Sequence, residues 1–189
     1  MVMRSAGLVL YRERDGRTEV LIGHMGGPLW ANKDERAWSF PKGQYGDDET
    51  PRAAARREFE EELGIAPPDG GWRDLGEARQ PNGKIVTLWA VAGDLDPELI
   101  EPGGFTMEWP PHSGRIQLYD EIDRVAWVDP AKARRLLVAG QVVFLDRLAA
   151  LTGEAGTASA PDVPDTPGAD SDSDGKGERD DEAGSGGPR

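Results

Sequence analysis

The 189-residue chain contains no cysteine and only two histidines, His24 and His112. The first absence excludes disulfide scaffolds, thiol catalysis and cysteine-ligated zinc or iron-sulfur sites. The second excludes a histidine-rich metal centre. A metal held by this chain would sit mainly among oxygen donors, the preference of hard ions such as magnesium or manganese rather than zinc. No apolar run approaches the roughly 20 residues that span a bilayer. The opening Met1-Val2-Met3-Arg4-Ser5 leads into an alternating strand pattern rather than a secretory core, so a cytoplasmic protein without a membrane partner is expected. Basic residues are also scarce, 22 Lys and Arg against 35 Asp and Glu, for a net charge of -13. Duplex nucleic acid, which is bound through clustered Lys and Arg, is therefore not an expected partner. A small phosphorylated ligand carried by metal ions is compatible with that balance.

The acids are unevenly spread. Residues 153–189 hold ten acids and three bases, with no aromatic, Leu or Ile. Such a segment cannot bury enough apolar surface to offset its chain entropy and is expected to be a disordered acidic tail. It reads either as a solubilising appendage or as a segment that recruits a basic partner. Residues 1–152 form the expected single domain. Within it, residues 5–11 and 18–25 are β-rich runs joined across Asp15-Gly16, and residues 72–80 and 84–93 flank Asn82-Gly83, both strong hairpin signals. Residues 26–37 read as a long loop, and 124–128 as a last strand followed by amphipathic helices over 130–138 and 141–151. The pattern is a mixed α/β (α+β) domain in which hairpins rule out a purely parallel sheet.

A helix is expected over 51–63. Thr50 is its N-cap, Pro51 suits the first turn, and Gly64 suits the C-terminal stop. On a helical wheel Glu61 lies about 60° to one side of Glu58 and Glu62 about 40° to the other, at 100° per residue. Ala55, Phe59 and Leu63 form an adjoining apolar stripe, so the carboxylates sit beside the core boundary. Like charges at these spacings repel, and a multivalent cation would reverse the sign. By spacing alone the cluster could equally be a solvated acidic face. The preceding Trp38-Ser39-Phe40-Pro41-Lys42-Gly43, with the polar loop Gln44 to Glu49, lets a glycine-bearing segment fold back onto the helix start, where free N–H groups can approach a phosphate.

Gly43, Glu49 and the run Arg57-Glu58-Phe59-Glu60-Glu61-Glu62-Leu63-Gly64-Ile65 resemble the Nudix box, with all nine defined positions matched across 23 residues. The order of strands and the closing Glu121-Ile122-Asp123-Arg124-Val125-Ala126-Trp127-Val128 extend the resemblance over about residues 3–151. It implies a Nudix-like α/β/α sandwich with a mixed sheet and hydrolysis of a nucleoside diphosphate linked to another moiety. It further implies that Glu58, Glu61 and Glu62 bind magnesium or manganese, one carboxylate near the metal activating water. Arg57 would orient the glutamates, and Glu49 would support the loop and helix or complete the metal site. The chemistry agrees, because a pyrophosphate is a poor electrophile until divalent cations neutralise its oxygens. Which glutamate serves as base is open, with Glu121, in the loop before the last strand, a further candidate.

Lys42 either reaches a substrate phosphate as a point charge or is a solvent-exposed loop lysine. Trp30, Trp38 and Trp109 either stack on a nucleobase or pack in core and loop. The proline-stiffened segment Glu108 to Arg115 reads as a wall of the substrate site or as a surface lid. His24 and His112 are expected to be ordinary polar or packing residues. The Trp-Ser-Phe-Pro-Lys-Gly lead-in resembles that of dinucleoside polyphosphate and nucleoside triphosphate hydrolases, which implies those substrates. Pro81, 16 residues after Ile65, resembles a feature of ADP-ribose hydrolysing relatives but is also explained by the Asn82-Gly83 turn, so ADP-ribose or nucleotide sugars form the alternative. A non-catalytic nucleotide-sensing module is the rival of another class, which has no chemical need for three glutamates on one arc. A homodimer is compatible with the family but demanded by no residue.

Overall fold

The computed structural model describes residues 2–153; the acidic tail, from residue 154 onward, lies outside them. Strands β1 (Arg4–Arg14) and β2 (Arg17–Met25) form the expected hairpin, extended toward the turn beyond the apolar runs. Asp15 and Gly16 both adopt positive φ, 52° and 72°, which the tight turn between right-twisted strands requires. Strand β1 organises the sheet. One edge pairs in parallel with β6 (Ile85–Ala92), and the other is shared between β2, at residues 11–14, and the short β4 (Lys42–Gln44), at residues 5–7. Strand β6 continues into β5 (Arg73–Arg79), and β2 pairs with β3 (Trp38–Ser39) and β9 (Ile122–Val128). The sheet is mixed, with β1 antiparallel to β2 and β4 and parallel to β6.

Side-chain alternation divides the core between the two faces of this sheet. Leu8, Leu10 and Leu21 turn to one side and bury against Ala54, Ala55, Phe59 and Leu63 of helix α1 (Pro51–Leu63). Val9, Val20 and Ile22 turn to the other, against Leu136 of α2 (Pro130–Leu136) and Phe144, Leu145 and Leu148 of α3 (Val142–Thr152). The result is a three-layer α/β/α sandwich. Among the described residues no helix is long and apolar enough to cross a membrane.

Three details differ from the sequence reading. Residues 42–44 form strand β4 rather than loop, because pairing with β1 supplies what Lys-Gly-Gln lacks in strand propensity. The helices over 130–138 and 141–151 run instead from 130 to 136 and from 142 to 152. Residues 104–120 contain an unforeseen hairpin of β7 (Gly104–Glu108) and β8 (Ile116–Asp120), paired with each other and not with the main sheet. Its strands are largely exposed, so they lack the buried alternation that marks a strand in sequence.

Helix α1 is capped as expected. Thr50 Oγ1 accepts from the Ala53 N–H at 3.3 Å, and Gly64, at φ 69°, donates its N–H to the Glu60 carbonyl at 2.8 Å. Replacing Thr50 with Ala is expected to lower the unfolding free energy by about 1 kcal/mol, with Ser restoring most of it. Urea unfolding midpoints measure this, and an unchanged midpoint for the Ala variant would show that the cap contributes nothing.

Candidate active site

The splitting of one β1 edge between β2 and β4 creates the site. The chain leaves β2 at Met25, returns through Phe40 and Pro41, and enters β4 directly against the buried face of α1. The contact is intimate: a Cβ placed on Gly43 would overlap the Glu58 carboxylate, so only glycine allows this approach. The Lys42 backbone N–H donates to Glu62 Oε2 at 3.1 Å, tying the strand to the same helix.

An open pocket of about 490 Å³ forms at this junction. It is lined by Glu58, Glu61 and Glu62 of α1, by Lys42 and Gly43 of β4, by Glu121 between β8 and β9, and by Trp30 of the 26–37 loop. Those seven sequence candidates are thus brought together. Lys84, Phe105, Met25, Gly26 and Gln44 also line the pocket and were not singled out from the sequence. Lys84 had a readable signal: the turn at Asn82-Gly83 fixes its backbone, with the Lys84 N–H on Asn82 Oδ1 and the Lys84 carbonyl accepting from Gln80. Phe105 had none, since it belongs to the unforeseen hairpin.

Arg57 is the hub of the carboxylates. Its Nε and Nη2 grip the two oxygens of Glu49 at 3.0 and 2.8 Å, and its Nη1 donates to Glu58 Oε1 at 2.7 Å and Glu61 Oε2 at 2.8 Å. Nη2 also reaches the Gln44 carbonyl at 3.1 Å. One guanidinium therefore fixes two pocket glutamates and the loop that precedes the helix, the orienting geometry a bidentate fork permits. Its bond to Glu49 raises the Arg57 pKa and lowers that of Glu49. Glu49, with both oxygens on Arg57, stands outside the pocket lining.

The pocket glutamates feel burial. Glu58 is raised above the usual carboxylate range by desolvation, against the pull of Arg57. Glu62 is raised to about 8 by desolvation, which Lys42 only partly opposes. Lys84 is lowered by burial and by neighbouring Lys42. Among the described residues no three Asp, Glu or His side chains already converge on one point suited to an ion; Arg57 and the Lys42 N–H hold the carboxylates instead. The donor set still fits a hard divalent cation, because Glu58, Glu61 and Glu62 bring only carboxylate oxygens to one pocket.

The other candidates lie elsewhere. Trp38 is buried, donating from Nε1 to Asp34 at 3.0 Å, so it packs rather than stacks on a ligand. Trp109 and His112 belong to the turn of the β7–β8 hairpin, outside the pocket lining; the Trp109 backbone bonds Arg115 and Gln117. His24 is fully buried and hydrogen-bonded through both ring nitrogens.

A family model described as NUDIX domain matches residues 1–148. The chain belongs to the NUDIX domain family. Its curated relatives include an RNA pyrophosphohydrolase of Marinomonas sp. (strain MWYL1), 43% identical over 49 residues, which are 25% of this chain and 30% of that protein. They also include an octanoyltransferase of Myxococcus xanthus, 31% identical over 143 residues, 73% of this chain and 34% of that protein. The chain thus spans about a third of the length of the curated relatives it matches. Among solved structures, an Ap4A hydrolase of C. elegans in a binary complex superimposes with a TM-score of 0.55 at 22% identity, covering 81% of this chain and 99% of that one. The NUDIX domain of Shewanella oneidensis NrtR, complexed with ADP ribose, gives 0.54 at 14% identity, covering 80% and 89%. At such identities these structures establish a shared NUDIX fold.

Proposed function

We propose that the chain is a cytoplasmic, magnesium- or manganese-dependent pyrophosphohydrolase that cleaves a phosphoanhydride bond in a nucleotide, preferring nucleoside triphosphates or dinucleoside polyphosphates. The observation that carries this reading is the composition of one pocket: Glu58, Glu61, Glu62 and Glu121 face the ammonium groups of Lys42 and Lys84, with Trp30 and Phe105 among its walls. Acids suited to a divalent cation, bases suited to phosphate and aromatic faces suited to a nucleobase meet in one place. Glu58, Glu61 and Glu62 would hold the cation. Once bound, it supplies positive charge to the phosphate oxygens and makes water acidic enough to be deprotonated near neutral pH. Arg57 keeps Glu58 and Glu61 oriented, and Glu121, which lines the same pocket, would accept a proton from water. A second lysine favours the longer phosphate chains, because two ammonium groups are better matched by a triphosphate or polyphosphate than by the diphosphate of ADP-ribose.

The deciding experiment is product analysis after incubation, with and without magnesium, with ADP-ribose, diadenosine tetraphosphate and nucleoside triphosphates. Magnesium-dependent cleavage of one compound far above the rest supports the reading and names its substrate group. Tight nucleotide binding without product from any compound overturns it in favour of a sensing module. Trp30→Ala is expected to raise KM for the preferred nucleotide about tenfold with kcat little changed, as base stacking is worth roughly 1–3 kcal/mol. Inhibition by inorganic tripolyphosphate, which has no base, should be unaffected; equal weakening of both would place Trp30 on the phosphates.

A further inference from the structure

His24 is completely buried on β2, between its ladder neighbours Trp38 on β3 and Arg124 on β9. Its Nδ1 lies 2.7 Å from Asp123 Oδ1, and its Nε2 lies 2.8 Å from the Lys33 carbonyl oxygen. The Lys33 carbonyl can only accept, so the contact at Nε2 is an Nε2–H donating to that oxygen. The Asp123 carboxyl holds the ring at Nδ1. With both nitrogens engaged and the side chain completely buried, the ring is fixed in one orientation.

What this pair fixes is the 26–37 loop. The Trp30 and Ala31 N–H groups donate to the Gly27 carbonyl, and the Lys33 N–H donates to that of Trp30, so residues 27–33 form one continuous turn. The Lys33 ammonium lies 4.8 Å above the Trp30 ring. Holding the Lys33 carbonyl therefore holds the turn that presents Trp30 to the pocket. The other charged groups around the ring belong to Asp34, whose side chain accepts from Trp38 Nε1, and Arg124, whose guanidinium lies over Trp38; the Trp38 ring meets His24 edge-on at 5.3 Å.

We propose that His24, anchored by Asp123, is a positioning residue that fixes the 26–37 loop through the Lys33 carbonyl and so sets Trp30 at the wall of the substrate pocket. Its effect on substrate rests on the reading of Trp30 given above; its effect on the loop does not.

The test uses the full chain carrying ¹⁵N-labelled histidine and 5-fluorotryptophan, the Trp30 signal being assigned with Trp30→Phe. In the wild type His24 Nε2 is expected to show the ¹⁵N shift of a hydrogen-bearing nitrogen; a bare Nε2 overturns the proposal. Gln places its amide near Nε2 and Asn near Nδ1, so His24→Gln keeps the donor to Lys33 whereas His24→Asn keeps only the bond to Asp123. The Trp30 fluorine signal should shift or broaden in His24→Asn and hold in His24→Gln. KM for the preferred nucleotide should rise about tenfold in the first and within twofold in the second, with no further rise when His24→Asn is added to Trp30→Ala. Should His24→Asn not fold, Asp123→Asn serves, since Asp123 is one-third exposed. Its amide can donate to Nδ1, so Nε2 should keep its hydrogen and the Trp30 signal should stay. Equal disturbance of Trp30 by the Asn and Gln variants, or none by His24→Asn, overturns the proposal. A normal fluorine response with no nucleotide hydrolysed retains the loop anchor and rejects the functional reading.

Discussion

Converting Glu58 and Glu61 together to Gln is expected to reduce magnesium-dependent turnover by about 10³-fold, on the order of 4 kcal/mol in the barrier, because metal-held positive charge is worth several kcal/mol to a phosphoryl transition state. The change removes two negative charges while keeping shape and hydrogen-bonding capacity. It should not unfold the protein: Glu58 is disfavoured as an anion by its burial, and Glu61 is exposed apart from its bond to Arg57. Magnesium should raise the melting temperature of the wild type and leave that of the double variant unmoved, since a ligand stabilises only a state that binds it. Glu60→Gln on the same helix, exposed and outside the pocket, controls for net charge and should keep turnover within about twofold of wild type, as surface substitutions usually do. If the double variant retained turnover within about threefold of wild type, less than 1 kcal/mol, the metal role assigned to these carboxylates would be wrong.

The parts of this site that were legible in the sequence are those encoded locally. The spacing of Glu58, Glu61 and Glu62 beside Ala55, Phe59 and Leu63 fixes their common edge on any helix, and Thr50, Pro51 and Gly64 fix where that helix begins and ends. The two hairpin turns were likewise announced by their own dipeptides. Other parts depended on partners distant in the chain. Lys42, Gly43 and Gln44 are a strand only because Ser5, Ala6 and Gly7 lie beside them. Phe105 reaches the pocket because the Gly103 N–H bonds the Glu61 carbonyl and the Gly103 carbonyl accepts from Glu121, tying the β7–β8 hairpin to the helix end. Trp109 shows the converse: an aromatic beside prolines suggested a binding wall, yet the hairpin carries its turn away from the pocket lining. His24 was read as an ordinary polar or packing residue; that it ties the Lys33 carbonyl to Asp123 is visible only once those two converge on its ring.

Gly43→Ala is expected to damage both stability and catalysis, through one contact. Gly43 has no positive φ, so backbone strain is not the reason. The reason is space: the added methyl would occupy the position of the Glu58 carboxylate, which is only 8% exposed and is held on its other side by Arg57. Either β4 moves off the helix, stretching its ladder with β1 and the Lys42 bond to Glu62, or Glu58 swings out of the pocket. Overpacking of this kind costs roughly 1–3 kcal/mol of folding free energy, and a displacement near 1 Å in a catalytic array costs about 10²-fold in rate. Urea midpoints and kcat measured on the same preparation give both numbers. The contact is confirmed by a compensating change, because Glu58→Asp in the Gly43→Ala background shortens the side chain by one methylene and should recover stability without recovering turnover. An alanine variant as stable and as active as wild type would mean that β4 and α1 stand further apart than the Gly43 contact requires, and the placement of Glu58 in the pocket would have to be abandoned.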